Sequence, residues 1–255
     1  MLSKPFSRAA VGLIFLSLIG GSAVAGETNL VFYLRAEAAF HRAEKDFSRP
    51  TNYSAAALEL ARTSFDFTEL ATNTTQGAEI AGRGIAVCRA WLARESQAAA
   101  AHYYLAMNLG KLAEAKAPSL AAYKLVHEVE REFTTAAALD VHFDFAGPAR
   151  NLGELYFQAP GWPLSIGSNR KAQEWFERAV TLAPDYPENL LNLAEARLKW
   201  HQPEEFLAVM EKLELLWLPA RARFTGESWE RTWRDWQTRR APLLAEFTRH
   251  HKMKP

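Results

Sequence analysis

The stretch KAQEWFERAVTLAP, Lys171 to Pro184, decides the fold class. Its residues Ala172, Phe176 and Ala179 stand four and three apart, which puts them on one face of an α-helix. The two alanines are small enough to let a second helix approach closely, and Phe176 fills the space between them. Pro184 ends the helix, because it donates no backbone hydrogen bond and its ring clashes with the preceding turn. Shortly after, Pro187 opens PENLLNLAEARLKW, Pro187 to Trp200. Proline suits a first helical turn, whose amide donors have no partner within the helix. Two helices joined by so short a turn form an antiparallel hairpin.

Outward from this hairpin the same features recur. Asn192-Leu193-Ala194 has counterparts upstream in Asn151-Leu152-Gly153, with Tyr156 three on, and in Tyr104-Leu105-Ala106, with Leu109. Phe133, Ala136 and Leu139-Asp140 mark the end of another helix like Lys171–Pro184. Breakers at Arg49-Pro50, Asn73 to Gly77, Ala117-Pro118, Gly147-Pro148, Pro160 to Gly167, Pro184 to Pro187, His201 to Pro203, Pro219 and Gly226 cut the chain into helical lengths. The spacing predicts helices near 28–47, 53–71, 76–94, 98–115, 119–138, 146–158, 168–182, 187–200, 204–217 and 228–247. No segment alternates apolar and polar residues as a half-buried strand would.

The Lys171–Trp200 hairpin and its upstream counterparts resemble the tetratricopeptide repeat (TPR), in which paired helices recur along the chain. Against an even repeat, the frame runs about eleven residues long between Ala106 and Val129 and about seven long between Gly153 and Ala172. The resemblance implies an all-α fold: a right-handed α-solenoid of degenerate TPR-like helix pairs. It is expected to form a single domain over 26–255, with its best repeats in 99–217 and a C-terminal capping helix at 228–247.

The run from Ala101 to Ala196 also resembles the T-component proteins of TRAP transporters. The residues that carry the likeness are Ala138-Leu139-Asp140 with Phe143-Asp144, then Ala146-Gly147, Leu152-Gly153 and Leu155-Tyr156. A proline-containing loop with Gly167 follows, then Lys171-Ala172 and Phe176-Glu177-Arg178-Ala179. The loop Gly161 to Ser168 departs from the paired glycines of that family. Members are periplasmic helical subunits that associate with substrate-binding partners of solute transporters. The implied function is an exported binding or scaffold protein, an accessory component of a solute-uptake system. The alternative is a periplasmic carrier of a small apolar or amphipathic ligand.

A TPR likeness carries implications for particular positions. First helices of such repeats line a concave groove. The groove-facing positions are then Tyr103, Met107 and Lys111, next Arg150, Glu154 and Phe157, and next Leu191, Glu195 and Lys199. Asn151 and Asn192 fall where repeat asparagines bond a peptide backbone. Tyr103, Met107 and Glu188 stand where a clamp for a C-terminal carboxylate would need basic or amide groups. The expected partner is therefore a protein or peptide of another kind, or a small apolar ligand. Trp162, in the loop 159–168, has two readings: a capping residue packed into the repeat, or a lip that meets the ligand. The last helix carries Trp229, Trp233, Trp236, Leu243 and Phe247 as one apolar stripe, with Arg231, Arg234, Arg239 and Arg240 around it.

The beginning of the chain reads as a secretory signal. Lys4 and Arg8 precede the apolar run Ala9 to Ile19, and Ala23-Val24-Ala25 supplies an A-x-A cleavage site. The run is too short to cross about 30 Å of hydrocarbon. The expectation is cleavage after Ala25, export to the periplasm and no transmembrane anchor in the mature chain. Residues 219–255 hold nine Lys/Arg against four Asp/Glu, while the whole chain of 255 residues holds 30 against 29. An acidic body with a basic tail argues against a nucleic-acid partner, which needs a basic face.

Enzyme signatures fail. His127-Glu128 lacks the second histidine of a zinc motif, since position 131 is Arg. His102, His127 and His142 lie in different elements. No nucleophile elbow or phosphate loop occurs. The one cysteine, Cys88, sits between Val87 and Trp91 on an apolar face and reads as a buried hydrophobe. The chain is therefore expected to be no enzyme and to carry no cofactor and no metal.

Overall fold

The computed structural model describes residues 23–253. The predicted signal segment therefore lies outside the described residues up to position 22. Ten α-helices follow in order: α1 Ala23–Ser48, α2 Tyr53–Thr68, α3 Thr74–Leu92, α4 Ala99–Lys116, α5 Leu120–Leu139, α6 Phe143–Gln158, α7 Asn169–Leu182, α8 Pro187–Lys199, α9 Pro203–Arg223 and α10 Glu230–Met253. No strand occurs among the described residues, and the all-α expectation holds.

The helix starts follow from the sequence. Asn52, Asn73, Ser119 and Ser168 each turn a side-chain oxygen onto the third backbone amide of α2, α3, α5 and α7. That satisfies a donor left unpaired by the helix. Helices α8 and α9 begin on Pro187 and Pro203 instead, where the missing donor does no harm.

The described chain forms two compact units. The first runs to Asp140 and adds 158–167; the second comprises 141–157 and 168 onward. In the first unit each helix packs on the next, α1 on α2 through α4 on α5, and α2 also reaches α4. Its core is built from Phe40, Leu60, Phe65, Ile80, Trp91, Tyr103, Tyr104, Leu109 and Phe133. Asn108, fully buried on α4, ties that helix to α2 by donating to the carbonyl of Ala61 at 3.1 Å.

In the second unit α7 packs on α8 and α8 on α9, and α10 lies on α8 and α9. Helices α6 and α7 meet through Gly153 and Phe176. A methyl group at Gly153 would come within 2.5 Å of the Phe176 ring. Trp229, Trp233, Trp236 and Leu243 are buried, as the apolar stripe predicts. Trp229 belongs to a short 3-10 turn, Glu227–Trp229, just before α10.

Several elements differ from the expected boundaries: α1 starts at Ala23 rather than near 28, α2 ends at Thr68 rather than near 71, and α10 runs to Met253 rather than near 247. Helix α9 runs through Pro219 to Arg223 rather than stopping near 217. Leu215, whose carbonyl loses its helical donor, is exposed, as is Pro219, so water can serve that carbonyl. Helix α6 opens earlier than expected, with a left-handed turn: Asp144, Phe145 and Ala146 have φ of 48°, 54° and 62°.

Candidate functional site

The predicted groove residues of the first unit lie inside it. Tyr103 and Met107 are fully buried, and Tyr103 packs edge-on against Tyr104 and Phe133. Lys111 is also buried. It extends between Glu69 and Glu114, at 2.9 and 2.8 Å, so its charge is neutralised in place. His102 bridges α4 and α5, with Nδ1 at 2.6 Å from Glu132 and Nε2 at 3.1 Å from the carbonyl of Ser96. Cys88 is buried, and burial pushes its thiol well above the usual range, with the charge of Glu132 adding to the effect.

The loop 158–167 of this unit is closed on itself. Gly167 donates to the carbonyl of Pro160 at 2.9 Å, and Leu164 and Ser165 donate to Gly161 at 3.1 and 3.3 Å. Gly167 must be glycine here, because a Cβ would stand 2.0 Å from the carbonyl oxygen of Ala159. The loop holds Trp162 outward at 89% exposure and Leu164 at 67%. The capping expectation for Trp162 is thereby corrected. The loop's backbone bonds run within the loop itself, and the indole projects into solvent.

The second unit gathers charge where water is excluded. Arg150 on α6 donates through Nη2 to Asp144 at 2.8 Å and through Nη1 to the carbonyls of Asp144 and Phe145 at 3.2 and 3.1 Å. Asn189 on α8 donates to the same Phe145 carbonyl at 3.2 Å and to Ala179 and Ala183 at 3.1 and 3.0 Å. These bonds clamp the left-handed turn, which costs non-glycine residues about 1–2 kcal/mol each. Phe145 completes the clamp by stacking on Tyr186, centroids 4.6 Å apart and planes within 8°.

Arg239 on α10 occupies the neighbouring stretch of α8. It donates to Glu195 from Nε at 3.1 Å and from Nη2 at 3.0 Å, and it also bonds Asn192. Its Nη1 lies 3.5 Å from Glu188. Glu188 is 1% exposed and accepts from Tyr186 at 3.4 Å. Burial pushes its carboxyl up to about 7; the charges of Arg150 and Arg239 pull it down, and Asp235 and Asp144 push it up again. Trp236 stands edge-on to Tyr186 at 5.3 Å, fully buried, with no partner for its Nε1.

Of the predicted residues in this unit, Asn192 and Glu195 are brought together under Arg239. Lys199 and Phe157 are also joined, with the ammonium 4.6 Å from the ring centroid. Arg150 is buried in its clamp, and Leu191 and Glu154 are buried as well. Asn151 donates to the carbonyl of Gly147 in its own helix at 2.9 Å. The expectation that Arg239 merely flanks the apolar stripe is corrected. It stands three residues after Trp236 and four before Leu243, which is inside the stripe.

Glu188, Asn189, Tyr186, Asp144 and Arg239 were not predicted as a group. The available signal was the polar face Glu188, Asn192 and Glu195, four and three apart on α8. An acid–amide face on a helix buried on both sides calls for a cation, and Arg239 is it. Among the described residues no cluster of His, Cys, Asp or Glu is placed to hold a metal, and no helix is long and apolar enough to cross a membrane. No family model matches this chain, and no curated protein matches it.

Proposed function

We propose that this chain is an exported helical-repeat binding module that docks a protein partner through the loop 158–167. The observation that carries the reading is Trp162, exposed at 89% on a closed loop, with Leu164 beside it. Burying one such side chain gains about 1.5–3 kcal/mol. Tryptophan also dominates the energetics of many protein contacts. A loop that holds itself rigid loses little entropy on binding, so more of that gain reaches the affinity.

The wider setting is the resemblance to TPR and TRAP T-component proteins. It supports a role as an accessory subunit of solute uptake, with the partner a periplasmic protein. In this reading the buried polar residues of both units build the scaffold, and the exposed loop makes the contact.

Cross-linking in the exporting host, followed by affinity purification, tests it. The wild-type chain is expected to retain a specific polypeptide that Trp162→Ala and Leu164→Ala both lose while remaining folded. Equal retention by the variants overturns the docking role of the loop. A small molecule found in native mass spectrometry, with no polypeptide, overturns the scaffold reading in favour of a carrier.

A further inference from the structure

Four carboxyl groups and two guanidiniums meet in the second unit. Helix α6 gives Asp144 and Arg150, α8 gives Glu188 and Glu195, and α10 gives Asp235 and Arg239. The turn before α8 adds the Tyr186 hydroxyl. Two charges on the other helices packed on α8 pair away from this cluster. From α7, Glu177 pairs with Arg197 at the far end of α8, and from α9, Arg223 pairs with Asp185. Fully ionised, the cluster would hold two more negative charges than positive ones, most of them away from water. Such an imbalance is relieved by binding a proton.

Geometry decides which carboxyl takes it. Asp144 accepts directly from Arg150 at 2.8 Å. Glu195 accepts twice from Arg239 and keeps 16% of its side chain exposed. Asp235 is 30% exposed. Glu188 is sealed, and its contacts with Tyr186 and Arg239 are long, 3.4 and 3.5 Å, the second as long as the contact Arg239 makes with the partly exposed Asp235. Burial opposes its charge, and long contacts support that charge less well than the 2.8 Å bond supports Asp144.

We propose that Glu188 carries a proton in the folded chain, and that loss of this proton loosens the seating of α10 on α8. The coupling runs through two contacts. Arg239 spans Glu188, Asn192 and Glu195, so a new charge at Glu188 redistributes its bonds. Tyr186, bonded to Glu188, is also the ring on which Trp236 and Phe145 pack. A solvated Glu188 anion needs water where these rings now meet. The raised carboxyl, near 7, places the change in the physiological range.

The test is a titration of the full chain from about pH 5 to about pH 9, read by near-ultraviolet circular dichroism of its tryptophans. The expected result is a reversible transition centred close to pH 7, absent in Glu188→Gln. A wild-type signal that stays flat, or the same transition in Glu188→Gln, overturns the proposal. Should Glu188→Gln fail to fold, Asp235→Asn decides. Removing that partly exposed negative neighbour eases ionisation of Glu188, so the transition must move to lower pH. An unmoved transition overturns the proposal equally.

Discussion

Gly153 of α6 lies beneath the ring of Phe176 of α7, so close that a methyl group at 153 would stand 2.5 Å from Cδ1. The pair joins the two helices on either side of the 158–167 loop. Gly153→Ala is expected to lower unfolding stability by about 1–3 kcal/mol, the usual penalty of overpacking a filled core. Gly82 on α3 provides the contrast, since nothing lies within 4 Å of a methyl group there. Gly82→Ala should gain about 0.5–1 kcal/mol from helix propensity. Urea unfolding of both variants checks the pair. Equal effects would show that the Phe176 contact is not what position 153 requires.

That contact also shows what the sequence discloses. Ala172, Phe176 and Ala179 announce a helix packed closely on another, and Asn151-Leu152-Gly153 announces its neighbour. Local periodicity and breakers placed most helix ends within a few residues. The charged cluster was harder to see. Arg239 meets Glu195 from 44 residues away, a pairing that follows from tertiary packing rather than from any local period. The left-handed turn at Asp144–Ala146 has no glycine to reveal it, because Arg150 and Asn189 hold it from outside. For Trp162 the sequence leaves a packed and an exposed reading open, because its exposure follows from a loop that closes through its own backbone.

Arg239 holds its positive charge with only 5% of its side chain exposed. Arg239→Met leaves Glu188, Glu195 and Asn192 facing one another without it. Breaking a buried pair from one side costs about 3–5 kcal/mol. Arg240, one residue on, pairs with Glu214 at a partly exposed site. Arg240→Met should cost no more than about 1 kcal/mol. Chemical denaturation separates the two, and a loss at Arg239 as small as that at Arg240 would show the cluster to be solvated.

Glu188 sets the sign of the pH dependence. Its folded value, about 7, exceeds the ordinary 4.5, so the folded chain binds more protons than the unfolded one between them. The stability gained from that proton is fully present below pH 4.5 and is lost as pH rises through 7. The loss amounts to about 3 kcal/mol across that interval. Unfolding midpoints measured in steps across it should fall with pH in the wild type, with this contribution missing in Glu188→Gln. A contribution of opposite sign would mean that Glu188 is ionised in the folded state.

Cys88 is held as a neutral thiol by burial and by the nearby charge of Glu132. A thiol reagent acts on the thiolate, and the side chain is fully enclosed. The native chain should therefore leave a disulfide reagent unconsumed over hours and react with one equivalent once unfolded in denaturant. Rapid modification of the native chain would reveal that α3 opens locally around this position.

Trp162 makes the opposite demand on the fold. Its side chain is exposed and the loop is closed by backbone bonds, so Trp162→Ala should change unfolding stability by less than about 0.5 kcal/mol. Partner affinity should fall by about 2 kcal/mol or more, as expected for an interfacial tryptophan, which is roughly thirtyfold in Kd. Leu164→Ala should lose less, in proportion to its smaller surface. Gly167→Ala supplies an independent variant: it leaves Trp162 in place but forces the loop open against the Ala159 carbonyl. If docking depends on the rigid presentation of the indole, Gly167→Ala must also weaken binding. Unchanged affinity would show that the indole binds without the loop that presents it.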